Sequence, residues 1–209
     1  MRIVSLKKDK LHLTKIVLRD GNEALLDNDV CSENCLKVGM DLDADSLQEL
    51  QDESDYLRAK SRAAWYLDRS DHTEKALYDK LVRAGFKKES AAKVVARFIE
   101  VGLIDDRKYA ENYASRLSDA NYSSREILQK MLQKGVPYEL AKETLAEAEV
   151  DTDEHTKIKN LLEKKYLTKL TKENGAQKVF AALVRKGFSY SAVREVLKRY
   201  VEESEDLYV

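Results

Sequence analysis

The chain contains LVRAGF at residues 81–86, MLQKGV at residues 131–136 and LVRKGF at residues 183–188. These are three versions of one phrase, and their glycines, Gly85, Gly135 and Gly187, lie 50 and 52 residues apart. Glycine is otherwise scarce, with seven in 209 residues, so its return in one local context indicates a structural repeat. A repeat of this length predicts tandem helical modules.

Each copy of the phrase follows an apolar pattern with helical spacing. Leu77, Tyr78, Leu81 and Val82 form such a stripe in the first copy, after a capping signal and before the glycine that ends the helix. The same plan returns in the second and third copies. We therefore predict a mainly α protein of three tandem three-helix repeats that form an elongated, curved array.

Residues 1–55 have a different pattern. Two runs rich in Ile, Val, Leu and Thr, at 2–6 and 11–18, flank a charged turn, and a further turn signal precedes a third short run at 24–26. This predicts a small β-hairpin-containing N-terminal extension, followed by short helices at 29–35 and 45–50.

The predicted organisation has five parts. They are an N-terminal β-containing extension at 1–55, three-helix repeats at 56–102, 103–149 and 150–203, and an acidic tail at 204–209. The first helix of the second repeat is expected to be capped by Asp105 or Asp106 and to run through Ser118. The first helix of the third repeat is expected at 157–170.

Charge is unevenly distributed along the chain. Residues 1–55 carry 7 basic and 13 acidic side chains, whereas residues 155–201 carry 12 basic and 3 acidic ones, a net charge of +9. Such segregation favours a polyanion or an acidic protein surface as a partner for the C-terminal part. Solvated helix faces are the alternative reading of the same charges.

No sequence pattern for catalysis is present. Phosphate-loop, dinucleotide-binding, zinc-protease and nucleophile-elbow motifs are all missing, so we predict a protein that is not an enzyme and has no cofactor, catalytic residue or metal site. Cys31 and Cys35 are expected to be free thiols, with a metal or redox pair as the alternative. The lack of a long apolar stretch or a signal-peptide core predicts a cytoplasmic protein without a membrane segment.

The candidate binding surface is a set of basic residues, most of them in the third repeat. They are Arg83, Lys134, Lys165, Lys169, Lys172, Arg185, Lys186, Arg194 and Lys198. Lys165, Lys169 and Lys172 are spaced to share one helical face if their helix extends that far. Arg194 and Lys198 are neighbours on successive turns of another helix. A spaced basic track of this kind suits a phosphate backbone or an acidic groove of a protein.

The phrase GLIDDRKYA at residues 102–110 joins the first two repeats. Together with the three helix–glycine motifs and the small N-terminal extension, it resembles the RecX family over residues 57–201. Two positions depart from the family pattern: Val136 replaces an aromatic residue, and Gly175 stands where the first two repeats have a Thr or Ser cap.

The resemblance implies a regulator, mainly an inhibitor, of the recombinase RecA. Such a protein would act as a monomer, lie along the groove of the RecA–single-stranded-DNA filament, and modulate recombination, DNA repair and the SOS response. The resemblance leaves open whether the protein also contacts single- or double-stranded DNA directly. The alternative is a general DNA-binding helical-repeat protein without specificity for RecA.

Overall fold

A computed structural model describes residues 1–9, 12–147 and 154–206. The chain divides into two compact units, Met1–Asp105 and Asp106–Val209. The first unit contains a small sheet and the first helical module, and the second unit contains the other two modules. The predicted fold class, mainly α with three-helix repeats and a small N-terminal β element, is confirmed.

In the described part of the chain, the N-terminal sheet has three antiparallel strands that follow one another in space as in sequence: β1 (Ile3–Lys8), β2 (Leu13–Leu18) and β3 (Glu23–Asp27). Alternate residues of β2, Thr14, Ile16 and Leu18, are buried, so one face of the sheet covers a core. The third strand predicted at 24–26 lies within β3. A short helix, α1 (Asn28–Glu33), follows directly, with the Asp27 carboxylate accepting a hydrogen bond from the Asp29 amide at 2.9 Å.

The next helix, α2 (Ala44–Leu67), is a single element of 24 residues. The prediction of a short separate helix at 45–50 is wrong, because the residues that follow, QDESDY, contain no glycine or proline to interrupt the helical hydrogen bonds. The N-terminal half of α2 packs on the sheet, where the Ser54 hydroxyl accepts a hydrogen bond from the Asp27 amide at 2.7 Å. The C-terminal half buries Ala59 and Ala63 in the first module.

The first module is completed by α3 (Glu74–Arg83) and α4 (Lys88–Glu100). The Thr73 hydroxyl caps α3 by accepting a hydrogen bond from the Ala76 amide at 3.1 Å. The core that these helices share with α2 contains Ala59, Ala63, Leu77, Leu81, Ala91, Val94, Val95, Phe98 and Ile104.

The second module repeats the plan with α5 (Asp106–Asp119), α6 (Ser124–Gln133) and α7 (Tyr138–Glu147). The Ser123 hydroxyl caps α6 by accepting a hydrogen bond from the Glu126 amide at 3.2 Å. Buried Ile127 and Met131 occupy the positions that Leu77 and Leu81 occupy in the first module. The glycine that follows the stripe has positive φ in all three copies, between +91° and +94°, which accounts for the repeated phrase.

The third module contains α8 (Glu154–Leu161), a π-helical segment (Leu162–Tyr166), α9 (Leu167–Leu170), α10 (Gly175–Arg185) and α11 (Tyr190–Asp206). The prediction of one regular helix at 157–170 is therefore incomplete. A π-helical segment contains an additional residue per turn and rotates the helix that follows it. Here it places both Leu162 and Tyr166 in the module core.

Gly175 explains why the third module has no Ser or Thr cap at the start of α10. The last carbonyls of α9 lie so close that a Cβ at Gly175 would be 2.1 Å from the Lys169 oxygen and 2.8 Å from the Leu170 oxygen. No residue with a side chain fits there without moving the backbone. The capping residue, Asn174, has φ of +56° and makes no capping hydrogen bond with its side chain.

The second and third modules meet at the cap of α6. The Ser123 hydroxyl, besides capping α6, donates a 2.5 Å hydrogen bond to the Lys186 carbonyl. The Lys186 ammonium lies 3.6 Å from the Glu126 carboxylate, whose nearer oxygen is buried and has no hydrogen-bond partner in the described structure. A second link is the 3.0 Å hydrogen bond from the Asn160 amide to the Asn121 side-chain oxygen.

Candidate protein-binding groove of the third module

Two of the predicted basic residues lie together at a groove of the third module. Arg194 and Lys198 are exposed on successive turns of α11 and line one side of a cavity of about 540 Å³. The other lining residues are Ala176, Gln177, Phe180, Tyr190 and Leu197, which come from α10 and α11. The groove therefore combines a mainly apolar and aromatic lining with a basic edge.

The aromatic pair of this groove is well defined. The rings of Phe180 and Tyr190 pack edge to face, with their centroids 4.8 Å apart. Phe180 is partly buried against the module core, whereas Tyr190 is 64% exposed. A large aromatic side chain held on a core residue but left open to solvent is the kind of side chain that protein interfaces use as an anchor.

Hydrogen bonds from another helix fix the start of α11, and with it the position of Tyr190. The Ser189 hydroxyl accepts a hydrogen bond from the Ala192 amide at 3.3 Å, as a helix cap. The Glu154 carboxylate, on α8, in turn accepts hydrogen bonds from the Ser189 amide at 2.7 Å and from its hydroxyl at 2.6 Å. His155 and Glu195 add a 3.0 Å contact between the same two helices. The groove is thus built on fixed elements and has no long loop in its lining.

The lysines predicted to share one helical face are arranged differently. Lys165 lies in the π-helical segment, Lys169 lies in α9 with its ammonium 5.3 Å from the Tyr166 ring centroid, and Lys172 lies beyond the end of α9. Because the helix changes its period and then ends at Leu170, the three do not lie on one continuous helical face. All three are exposed, and their part in binding stays a prediction.

The basic residues beside the repeated glycines have local structural contacts. Arg83 and Arg185, at equivalent positions, each donate from Nε to a carbonyl of their own helix, at 3.0 Å and 3.3 Å. Lys134 forms the C-cap of α6 and is exposed. Lys186 is half-buried at the junction with the second module, where it faces Glu126 and lies 5.8 Å from the Tyr122 ring centroid. Within the second unit, Lys186 is therefore engaged at the junction of two modules, whereas Lys134 and Arg185 are exposed.

Sequence reasoning missed the apolar part of the groove. In the sequence, Phe180 belongs to the apolar stripe of the third copy, and Tyr190 begins the helix after its glycine. Their signal was nevertheless present, because Tyr190, Arg194 and Leu197 are spaced by four and three residues and so share one face of α11. An aromatic residue at the end of a helix face that also carries an arginine indicates a binding surface.

Within the described residues, no helix is long and apolar enough to cross a membrane. Cys31 and Cys35 are free thiols. Burial raises the pKa of the Cys31 thiol, so it is more fully protonated near neutral pH than an exposed cysteine. In the same described ranges, no group of three or more His, Cys, Asp or Glu side chains is placed to hold a metal ion.

Two family models match the chain. The model described as RecX, first three-helix domain, matches residues 59–98, and the model described as RecX, third three-helix domain, matches residues 152–197. These ranges fall on the first and third modules of the structure.

Full-length similarity leads to the same family. The chain is 27% identical over 208 residues to the regulatory protein RecX of Streptococcus gordonii, an alignment that covers 99% of this chain and 80% of that protein. It is 28% identical over 163 residues to the regulatory protein RecX of Clostridium perfringens, with 76% of each protein covered. A crystal structure of regulatory protein RecX superposes with a TM-score of 0.66 at 25% identity, covering 95% of this chain and 98% of the other. RecX from Lactobacillus salivarius, at 24% identity, shares the fold with a TM-score of 0.60 over 69% of this chain and 96% of the other.

Proposed function

The chain belongs to the RecX family, and from that premise we propose that it regulates RecA by binding the RecA–single-stranded-DNA filament. The observation that carries the proposal is the match of the first and third modules to RecX models. The effect is mainly inhibitory: the protein occupies the groove of the filament as a monomer in the cytoplasm. Recombination, DNA repair and the SOS response are modulated as a consequence.

The groove of the third module supplies a contact for a protein partner. Phe180, Tyr190 and Leu197 offer an apolar surface that suits one or two apolar side chains of a partner segment. Arg194 and Lys198 stand at its edge, so acidic residues beside those apolar side chains are favoured. An apolar centre with charges at its rim is the usual arrangement of a protein interface. The mode of action is binding, in keeping with relatives that are named regulatory proteins.

The test is cosedimentation of the purified chain with RecA filaments, combined with a RecA strand-exchange assay. Tyr190→Ser should weaken filament binding by about tenfold, since a central aromatic anchor contributes on the order of 1–2 kcal/mol. Joint reversal of Arg194 and Lys198 to Glu should weaken it at least as much. Arg199→Glu is the control for position, because Arg199 is exposed on the same helix and does not line the groove. Its reversal changes the net charge half as much as the double reversal does.

The outcomes separate the function from the groove. A wild-type chain that neither sediments with filaments nor slows strand exchange would contradict the proposed function. Normal inhibition by Tyr190→Ser and by the charge-reversal variant would leave the function standing and remove the groove from it. If Arg199→Glu weakens filament binding as much as the double reversal does, the weakening comes from the charge of the module and not from contact with the groove.

A second candidate function is general DNA binding without preference for filaments. The net charge of +9 over residues 155–201, with Lys165 and Lys169 exposed, is the observation that favours it. Binding to naked DNA should then fall steeply with salt, with a slope of roughly 0.7–0.9 per neutralised phosphate. Equal affinity for naked DNA and for RecA filaments would favour this second function over the first.

A further inference from the structure

The first unit carries a second unusual surface, on the exposed side of α2. Arg58, Arg62 and Trp65 are spaced by four and three residues, and Arg69 follows at the next equivalent position just beyond the helix. Trp65, the one tryptophan of the sequence, is 45% exposed. The opposite side of the helix buries Ala59 and Ala63, so this stripe faces away from the module core.

Two guanidinium groups lie near the tryptophan ring. The Cζ atom of Arg69 lies 3.6 Å from the ring centroid of Trp65, and that of Arg62 lies 5.4 Å from it. These are cation–π distances, and they hold the indole in place on the surface. Indole and guanidinium groups are both planar, and each is a group on which another planar group can stack.

Two of these arginines form no ion pair with the described residues of the unit. Arg58 and Arg62 make no ion pair with any carboxylate in the described residues, although exposed arginines elsewhere in the chain, such as Arg97 and Arg107, do. Arg58 instead lies 5.8 Å from the Phe86 ring centroid. The stripe therefore presents positive charge that is available to an external anion.

Part of the stripe lines a cavity of about 500 Å³. Its lining includes Arg58, Arg62 and Trp65 of α2. Asp27 and Asp29, at the end of β3 and the start of α1, also line it. The cavity thus combines cations and an aromatic ring from one helix with carboxylate acceptors from other elements.

We propose that this cavity binds an unpaired nucleotide of single-stranded nucleic acid. The base stacks against Trp65, and the adjoining phosphates contact Arg58 and Arg62, all three of which line the cavity. The carboxylates of Asp27 and Asp29 accept hydrogen bonds from amino groups of the base. This contact is independent of the groove in the third module and does not require that the chain regulate RecA.

The mixture of charges decides between a nucleotide and an acidic peptide. A peptide rich in Asp and Glu would be attracted by Arg58 and Arg62 but repelled by Asp27 and Asp29, and it would leave the indole face unused. A nucleotide has an anionic phosphate at one end and a flat base with amino donors at the other. Stacking of bases on aromatic rings beside basic residues is the common mode of single-strand recognition.

Because the chain has a single tryptophan, its tryptophan emission, excited at a wavelength that the eleven tyrosines do not absorb, reports on this site alone. A short mixed-sequence DNA strand should quench Trp65 emission in a saturable manner. Two probes serve as controls: an abasic strand of the same length, which has the phosphates without the bases, and poly-glutamate. Both should bind more weakly and quench little, since neither supplies a planar group.

Variants then assign the contact. With a fluorescently labelled strand and anisotropy as the readout, Trp65→Leu should raise the dissociation constant by about tenfold, the usual effect of losing one stacked base. Arg62→Gln should weaken binding and reduce the salt slope by about 0.7 for each lost phosphate contact. Lys60→Gln is the matched control, because Lys60 is exposed on α2 but lies on another face and does not line the cavity.

Each remaining outcome contradicts the proposal. Absence of quenching by the mixed strand would show that no base reaches Trp65. Equal quenching by the abasic strand or by poly-glutamate would show that the site reads charge and not bases, and in the latter case that an acidic peptide is the better ligand. Equal losses in Arg62→Gln and Lys60→Gln would place the phosphates elsewhere on the chain. Circular dichroism of every variant should match that of the wild type, because all the substituted side chains are exposed.

Discussion

Replacing Gly187 by alanine should destabilise the second unit more than replacing Gly85 by alanine destabilises the first unit. Both glycines end a helix with nearly the same backbone, at φ of +93° and +94°. An added Cβ at Gly85 would meet no atom within 4 Å. At Gly187 it would lie 2.8 Å from the Ser123 hydroxyl and 2.8 Å from the Arg125 Cβ. The pair of variants therefore separates backbone strain from the packing of one module on the next.

The magnitudes follow from these contacts. Backbone strain from an alanine at positive φ should cost about 1–2 kcal/mol at either site. At Gly187 the overpacked contact adds about 1–3 kcal/mol. Displacement of Ser123 also weakens its hydrogen bond to the Lys186 carbonyl, at about 0.5–1.5 kcal/mol. We expect a loss of about 1–2 kcal/mol for Gly85→Ala and of roughly 3–6 kcal/mol for Gly187→Ala.

Urea unfolding monitored by far-ultraviolet circular dichroism measures both losses. Hydrogen exchange locates them, and in Gly187→Ala the extra exchange should appear in α6 and α10, on the two sides of the contact. If both substitutions lower the free energy of unfolding equally, the close approach of Ser123 and Arg125 to Gly187 does not exist in solution. If exchange in α6 is unchanged, the second and third modules are not joined in this way.

Three further predictions concern the second unit and use the same unfolding measurement. Ser123→Ala should cost about 1–2 kcal/mol, since it removes both the cap of α6 and the donor to the Lys186 carbonyl, whereas Ser124→Ala, at an exposed neighbouring position, should cost less than about 0.5 kcal/mol. Ser189→Ala should cost a similar 1–2 kcal/mol or so, because the Glu154 carboxylate loses a hydroxyl donor and α11 loses its cap; an unchanged midpoint would contradict the capping contacts. Lys157→Met should raise the urea midpoint near neutral pH: burial lowers the pKa of the Lys157 ammonium below 10.5, outweighing the nearby Glu154 and Asp119. Between the lowered pKa and that of the unfolded chain, the unfolded state binds more protons, so the wild type gains stability as pH rises and its gap to the variant should narrow toward about pH 10.

The regular parts of the fold were predictable because their causes are local. Thr73 and Ser123 cap helices through amides three residues ahead, and the repeated glycines end the same helices with positive φ. Both signals lie within one turn of the element that they define, so the sequence pattern contains them completely. The sheet was predictable for a similar reason. Its apolar alternation lies within each strand, and its turn residues lie between neighbouring strands of the sequence.

The parts that could not be predicted depend on contacts between distant residues. The amino-acid composition of the π-helical segment Leu162–Tyr166 does not distinguish it from an α-helix. Its conformation depends on which of its side chains reach the module core. In the sequence, Gly175 stands where a capping residue is expected. A glycine is needed there because the Lys169 carbonyl lies against it and leaves no room for a side chain. Lys186 reads as an exposed cation, yet its partner, Glu126, is 60 residues away. Charge counted along a sequence does not distinguish a side chain that faces solvent from one that lies beside a partly buried carboxylate.

A sequence repeat makes the residues that its copies share easy to recognise. A binding surface of one module depends on the residues in which that module differs from the others. Gly85 and Gly187 have the same backbone, but only the latter is covered by a neighbouring residue such as Ser123. The groove of the third module shows the same difference among the copies. Its Tyr190, Arg194 and Lys198 correspond to Lys88, Ala92 and Ala96 in the first module and to Tyr138, Lys142 and Ala146 in the second. The third module is therefore the copy that combines an exposed aromatic residue with two cations on one face. Positions that vary between equivalent modules, more than the conspicuous repeated phrase, are where a partner of this protein should be sought.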